Sequence, residues 1–418
     1  MRHVMVFSGL LILGLVGSQV LPLVAGEAYA AVRPLVGFLT MVGLAFIMIH
    51  VGYEFEIDRS NLRQYGWDYV VAATAAGFPW VFCCLYFIFA MLPSGAWDSW
   101  PIWKETLLAA RFAAPTSAGV LFSMLAAAGL SATWVFRKAR VLAIFDDLDT
   151  VLLMIPLKMA MVGARWQLAV IVVLMVLQLW LAWRFLHTVR MPVSWPWVLG
   201  YAVVIAGGSE TLYRFSKLLD DTLPIHIEVL LPAFVLGCVM ARPAGSDPHR
   251  DDAREGHQEG PESSTEQRVA SVVSGVFMVL VGLSMPAVVG AVADTARAGG
   301  ALAEATPPVS WTLIAVHVLG ITALSNLGKM FCVLCYRREA TLRERLAVAM
   351  GMWPRGEVGA GVLVLSLSYD IGGPVVVVAM LSLALNLLLT GGFIWAIKRL
   401  LAGGPAGISA SAAPTAVR

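Results

Sequence analysis

Long apolar runs, each closed by a short polar stretch, recur from one end of this chain to the other. Twelve of them approach the length of about 20 residues that an α-helix needs to cross a bilayer. They lie near 4–25, 33–53, 68–92, 105–130, 139–163, 166–186, 195–213, 222–241, 269–293, 309–335, 345–368 and 374–397. Backbone polar groups in lipid must pair within the segment, so the runs predict helices. The strand-length alternation of a membrane barrel is missing. The opening "MRH" and its apolar run have the look of a signal peptide, with "AYA" at 28–30 as a cleavage site. The run exceeds a signal core of about 7–15 residues, so a retained span is expected.

Composition agrees. The chain has 418 residues, 59% hydrophobic and 13% charged, against about 25% charged in a soluble domain. A net charge of +2 gives no reason to expect nucleic acid as a partner. The five cysteines sit inside apolar runs and read as packing residues. Cys332 and Cys335 form a C-x-x-C with no second ligand pair to complete a zinc site. No nucleophile–base set or nucleotide loop appears, so an enzyme is not expected.

Lysine and arginine concentrate in alternate loops. Arg59, Arg63, Arg137, Lys138, Arg140, Arg184, Arg190, Arg337, Arg338, Arg343 and Arg345 fall on one side, with Lys398 and Arg399 at the end. Fewer fall on the other. By the positive-inside rule the rich side is cytoplasmic and so are both termini. The expected organisation is a transmembrane domain over 1–401 with halves 1–241 and 269–401. A charged, Gly/Pro/Ser-rich cytoplasmic linker, 242–268, joins them, and a disordered cytoplasmic tail, 402–418, follows. His249 and His257 in the linker are secondary candidates for pH sensing.

A charge at bilayer depth costs at least about 2.5–3.5 kcal/mol, which makes each one a candidate for function. The fifth run carries Asp146, Asp147, Asp149 and Lys158; the fourth, Arg111; the tenth, Lys329; the eleventh, Arg355 and Glu357. Glu210 and Glu228 lie nearer the ends of their runs. Asp146 and Asp147 diverge by about 100° on a helix, so one can face a cavity while the other faces a neighbour. Two close carboxylates repel in a low dielectric, so the pair can hold a proton and surrender it to an arriving cation. Pairing with the Arg137–Arg140 cluster could explain Asp146 alone, but not all three acids. Lys329 lies too deep to snorkel and needs a partner, for which Asp146 is the natural choice. Asp149 sits on roughly the face of Asp146 and either assists the site or balances Arg111 or Lys158. Arg355 and Glu357 do not share a face and read as structural locks.

Two runs are interrupted. "APTSAG" at 114–119 and "PRGEVG" at 354–359 place Pro and Gly where a helix would otherwise continue. Broken helices survive at membrane depth only where protein or a cavity covers them. Paired breaks in two halves point to an inverted repeat with a midplane site. Freed carbonyls there can hold a cation, and Thr116 and Ser117 add hydroxyl oxygens.

These segments, in order, resemble the monovalent cation:proton antiporter superfamily, in particular the bacterial branch with an adjacent aspartate pair and a sodium/hydrogen exchanger-type membrane domain. "LTMVGLAFIMIHVGYEFE" (39–56), "APTSAG", "AIFDDLDT", "GVFMVLVGLSM" (275–285), "LGKM" and "PRGEVG" carry the likeness. Each is short; six in the right order are specific. The resemblance implies that Asp147 alternately binds the proton and the cation, that Asp146 pairs with Lys329, and that Thr116 and Ser117 lie in the unwound segment near the ion. It implies a homodimer of two-domain protomers, elevator-like movement of a core against a scaffold, and electrogenic exchange. Asp149, Arg111 and Pro115 depart from the pattern.

The expectation is therefore an all-α polytopic membrane protein of about twelve transmembrane helices, with inverted repeats whose broken helices cross near the midplane. It would sit among the lipids of a bacterial inner membrane and exchange Na⁺ or Li⁺ for protons. No cofactor is expected beyond the transported ions. Hard oxygen ligands suit a small cation, while K⁺ is not separable from Na⁺ by sequence. A channel-like cation pathway and a sodium-coupled organic-anion symporter on a related fold are the rivals, with a non-transporting sensor behind them. Lys329 and Asp146 between two breaks favour exchange over a channel, and no polar cluster suggests an organic-anion cavity.

Overall fold

The computed structural model describes residues 2–55, 62–163, 166–219, 229–241, 264–286, 300–307, 309–369 and 371–402. Most of the expected linker and tail, with His249, His257 and Glu228, lies outside the described residues. All regular structure among the described residues is helical, apart from one isolated bridge between Val189 and Met240. The helices are α1 (Arg2–Ala25), α2 (Glu27–Tyr53), α3 (Leu62–Tyr86), α4 (Trp100–Ala110), α5 (Ala118–Ala127), α6 (Trp134–Val162), α7 (Trp166–Arg184), α8 (Trp195–Leu219), α9 (Leu230–Val239), α10 (Ser264–Leu283), α11 (Ala301–Ala305), α12 (Trp311–Lys329), α13 (Cys332–Cys335), α14 (Leu342–Gly351), α15 (Glu357–Ser368) and α16 (Pro374–Ala402).

Local chemistry fixes the ends that matter. Gly26, at φ 48°, takes the left-handed turn between α1 and α2. Thr133 caps α6, accepting from the Phe136 N–H at 3.2 Å, and Gly163 closes it at φ 83°. Thr341 and Glu344 form a reciprocal capping box on α14. Ser117 and Ser310 cap α5 and α12. α10 begins at Ser264, so the helix takes the last residues of the stretch expected to be linker.

Eight stretches among the described residues are long and apolar enough to span a membrane. The twelve expected runs are not all recovered on that measure, for physical reasons. α6 carries the buried acids and the Arg137–Arg140 cluster. The second half of α8 carries Glu210, Arg214 and Lys217. The eighth run is described only from Val229 onward, and the eleventh is broken in two. The tenth run is recovered as one span, Trp311–Cys335, with a short turn inside it after Lys329, where the Met330 N–H bonds to Leu327 O at 2.9 Å before α13 begins. The third run ends in a π-helical turn, Phe87–Met91.

Packing divides the helices by their neighbours. α1 lies along α10 and α16, and α2 along α8, α9 and α10. α3 lies along α12 and α6, while α14 packs on α16 and α6. Glycines let the first group approach closely: a Cβ on Gly14 or Gly282 would collide with the facing backbone of α10 or α1. Large apolar side chains such as Val24, Val204 and Leu218 point outward and are exposed. Such a surface is costly in water and matched by lipid.

Candidate functional site

α6 carries its acids into the interior rather than to an end. Asp146, Asp147 and Asp149 are buried, with 0%, 2% and 3% of their surface exposed. Facing them are two places where the backbone leaves the helix. The first runs from the 3-10 turn Arg111–Ala113 to Ser117, between α4 and α5. The second runs from Met352 to Gly356, between α14 and α15. Pro115 and Pro354 cannot donate to a helical ladder, which accounts for both interruptions.

The two breaks meet. The Ser117 N–H donates to Pro354 O at 2.9 Å, and the Thr116 hydroxyl donates to Met352 O at 3.1 Å. Each break thereby supplies partners for polar groups the other has lost from its helix, as bilayer depth demands. Arg355 reinforces the crossing. Its Nε donates to Ala113 O at 3.0 Å, Nη1 to Asn326 Oδ1 at 2.7 Å and Nη2 to Ser325 O at 3.0 Å. It therefore ties both breaks to α12.

Lys329, the last residue of α12, reaches into this crossing. Its Nζ donates to Ala114 O at 2.6 Å, to the Thr116 hydroxyl at 2.9 Å and to Asp146 Oδ2 at 3.1 Å. Asp146 Oδ2 also accepts the Thr116 N–H at 2.7 Å. The lysine is fully buried, so its charge is balanced by one carboxylate and two neutral oxygens. The structure thus brings Asp146, Lys329, Thr116 and Ser117 together around one crossing, with Asp147 next along α6 at a different azimuth. The Arg137–Arg140 cluster lies elsewhere: Lys138 pairs with Asp68, and Arg140 with Glu54.

Arg111 directs Nη2 at the main-chain oxygens of Asp149 and Thr150, and its guanidinium stacks 4.8 Å from the Trp80 ring. Glu357 opens α15, but its side chain lies outside the described residues. Glu210 pairs with Arg214 on its own helix at 2.6 Å, away from the crossing. Four of the five cysteines are buried and Cys335 is partly exposed. Among the described residues no group of three His, Cys, Asp or Glu side chains forms a metal cluster.

Several members of the assembly were not singled out from sequence. Asn326 and Ser325 precede Lys329 in "SNLGK"; Asn326, three residues earlier, shares its helix face, which is the one available signal. Tyr69 and Trp80 of α3 meet Asp149 and Arg111 through long-range packing that no local pattern encodes.

Comparison with known proteins bears on the whole chain. Among curated proteins none matches. The structure is similar to that of the sodium proton antiporter MjNhaP1 from Methanocaldococcus jannaschii at pH 8, with a TM-score of 0.52 and 16% sequence identity over 95% of this chain and 92% of that one. At that identity the likeness speaks for the fold. The family described as sodium/hydrogen exchanger, transmembrane, matches residues 2–371. A multi-pass helical membrane protein with this architecture and this match belongs to the sodium/hydrogen exchanger family, within the monovalent cation:proton antiporters.

Proposed function

We propose that the protein exchanges a cytoplasmic monovalent cation, Na⁺, Li⁺ or K⁺, for external protons at the crossing of its two broken helices. The observation that carries this reading is the buried Lys329–Asp146 pair, held by Thr116, with Asp147 beside it on α6. In this scheme Asp147 binds the proton and the cation in turn, and the hydroxyls of Thr116 and Ser117 lie close enough to assist. Arriving cation competes for the carboxylates, loosens the Lys329–Asp146 pair and drives protons off. Net charge moves because more protons than cations cross in each cycle. Alternating access follows from an elevator-like shift of the core helices around the site, in a homodimer in the inner membrane with both termini cytoplasmic. The transmembrane domain over 1–401, its two halves and the cytoplasmic linker belong to the same proposal.

The test is cation-induced collapse of a pH gradient in inverted membrane vesicles, run separately with Na⁺, Li⁺ and K⁺. Wild-type protein collapses the gradient with Na⁺, Li⁺ or K⁺, and Asp147→Asn abolishes the response. A full response in that variant would remove Asp147 from the site. A conductance that persists without a coupled proton flux would favour a channel.

A further inference from the structure

One cavity lies away from the crossing and has no part in the exchange described above. It holds about 190 Å³ and opens where α3 and α6 begin. Gln64 and Tyr65 of α3 line it with Trp134 and Arg137 of α6, together with the buried Asp68 and Lys138. Most of the polar groups in and behind the wall are spent on one another. Lys138 lies 3.0 Å from both oxygens of Asp68 and 3.3 Å from Glu339. The Tyr336 hydroxyl donates to Asp68 at 2.7 Å, and Gln64 Nε2 donates to Glu339 at 3.0 Å. Arg137 is the exception. Its side chain is exposed, and it has no hydrogen-bond or ion-pair partner among the described residues. The rim repeats the pattern. Arg63 stands next to Gln64, and Arg337 and Arg338 stand between Tyr336 and Glu339. All three are exposed and unpartnered among the described residues. In the wall the acids Asp68 and Glu339 offset Lys138 and Arg137, so the rim arginines leave the mouth positive.

Size and chemistry narrow what such a cavity can take. Sites for drug-sized ligands run to about 300–1,000 Å³, so this one admits a group of a few heavy atoms and not a nucleotide. A guanidinium without a counter-charge offers a planar fork that matches phosphate oxygens. Position selects the source of the phosphate. Arg63–Met91 is one of the stretches long and apolar enough to span a membrane, so its first turn lies where hydrocarbon gives way to headgroups. Trp and Tyr favour that level, and Trp134 and Tyr65 stand in the wall. Further along α3, Trp67 and Val70 are 46% and 49% exposed, an apolar surface that acyl chains can cover. Basic pockets between spanning helices suit anionic headgroups. We propose that this cavity holds the headgroup phosphate of an anionic phospholipid, gripped by Arg137 with the rim arginines around it and the acyl chains lying along Trp67 and Val70. The lipid would join α3, α6 and the 336–339 turn at one face of the membrane, and so stabilise the folded protein.

The experiment uses full-length protein purified in detergent. Its unfolding midpoint is measured with added phosphatidylglycerol, with phosphatidylcholine and with inorganic phosphate, all at one ionic strength. Phosphatidylglycerol raises the wild-type midpoint by several degrees, and the other two leave it unchanged. Arg137→Gln folds, because the side chain is exposed and unpartnered, but it loses the rise. Arg190→Gln removes an exposed positive charge from the loop after α7 and keeps the rise. Native mass spectrometry supplies a second readout: wild type retains phosphatidylglycerol, and Arg137→Gln retains several-fold less. A full rise or equal retention in Arg137→Gln overturns the proposal. So does an equal rise with inorganic phosphate, which would make the cavity a site for the free ion. Loss of the rise in Arg190→Gln also overturns it, because the lipid would then answer to overall charge and not to this cavity. Both readouts report binding, so they stand whether or not the protein exchanges cations.

Discussion

Lys329–Asp146 at the crossing and Lys138–Asp68 between the second turns of α6 and α3 are both buried lysine–aspartate pairs, at 3.1 and 3.0 Å. Their surroundings differ. Lys138 lies equidistant, at 3.0 Å, from both oxygens of Asp68 and also reaches Glu339 at 3.3 Å. The Tyr336 hydroxyl donates to Asp68 at 2.7 Å, and the tyrosine ring lies 4.6 Å from the ammonium. A cavity of about 190 Å³, lined by Gln64, Trp134 and Arg137, opens beside this pair. Its two acids face one lysine in a place water can enter, and nothing there asks to be displaced. At the crossing, one lysine faces one carboxylate on unwound backbone, with Asp147 adjacent. An arriving cation there has both a ligand to take and a counter-charge to replace. On the exchange proposed above, burial of an ion pair does not by itself mark a transport site; what separates the crossing from the clamp is the unwound backbone on which its pair sits.

Replacing each lysine by Met puts that contrast to its hardest test. Lys329→Met leaves Asp146 at bilayer depth with the Thr116 N–H as its remaining donor. Breaking one side of such a pair costs about 3–5 kcal/mol. The loss is read as a lowered unfolding midpoint in detergent, together with a shifted pH profile of exchange. Lys138→Met costs less, about 1.5–3 kcal/mol, because Tyr336 still donates to Asp68 and the cavity admits water. Its pH profile stays that of wild type. If both variants shift the profile equally, the distinction between a clamp and a site fails.

The same contrast shows what the sequence could and could not reveal. Asp146, Asp147 and Lys329 were legible because a charge inside an apolar run has few explanations, and a proline beside small residues marks where a helix must open. Arg355 was legible as a charge inside an apolar run, but its partners were not: Ala113 O and Asn326 come from two other segments. The Lys138–Asp68 pair was hidden altogether. Lys138 stands in "RKAR", where a lysine reads as a loop charge that fixes orientation, and its partner is 70 residues away. Local pattern cannot tell a lysine in water from one folded back onto an aspartate. The short turn after Lys329, inside the span recovered as Trp311–Cys335, left no trace for a related reason. "KMFCVLC" stays apolar through the turn, so hydropathy carries no trace of the backbone change.

The finest test compares one hydroxyl from each pair. Tyr336→Phe removes the donor to Asp68 but keeps the ring over Lys138. Thr116→Val removes the hydroxyl that accepts from Lys329 and donates to Met352 O, while keeping a β-branched shape and the main-chain N–H to Asp146. By stability alone the two should look alike, each losing about 1–2 kcal/mol. They separate in transport. Tyr336→Phe leaves the apparent affinity for Na⁺ where it was, because nothing at the Lys138–Asp68 clamp belongs to the crossing. Thr116→Val weakens that affinity several-fold, because it takes an oxygen from the crossing and frees Lys329 to lean harder on Asp146. Measured as the Na⁺ dependence of gradient collapse in the same vesicles, equal affinities in the two variants would mean that Thr116 only fastens the backbone and the ion is held by carboxylates alone.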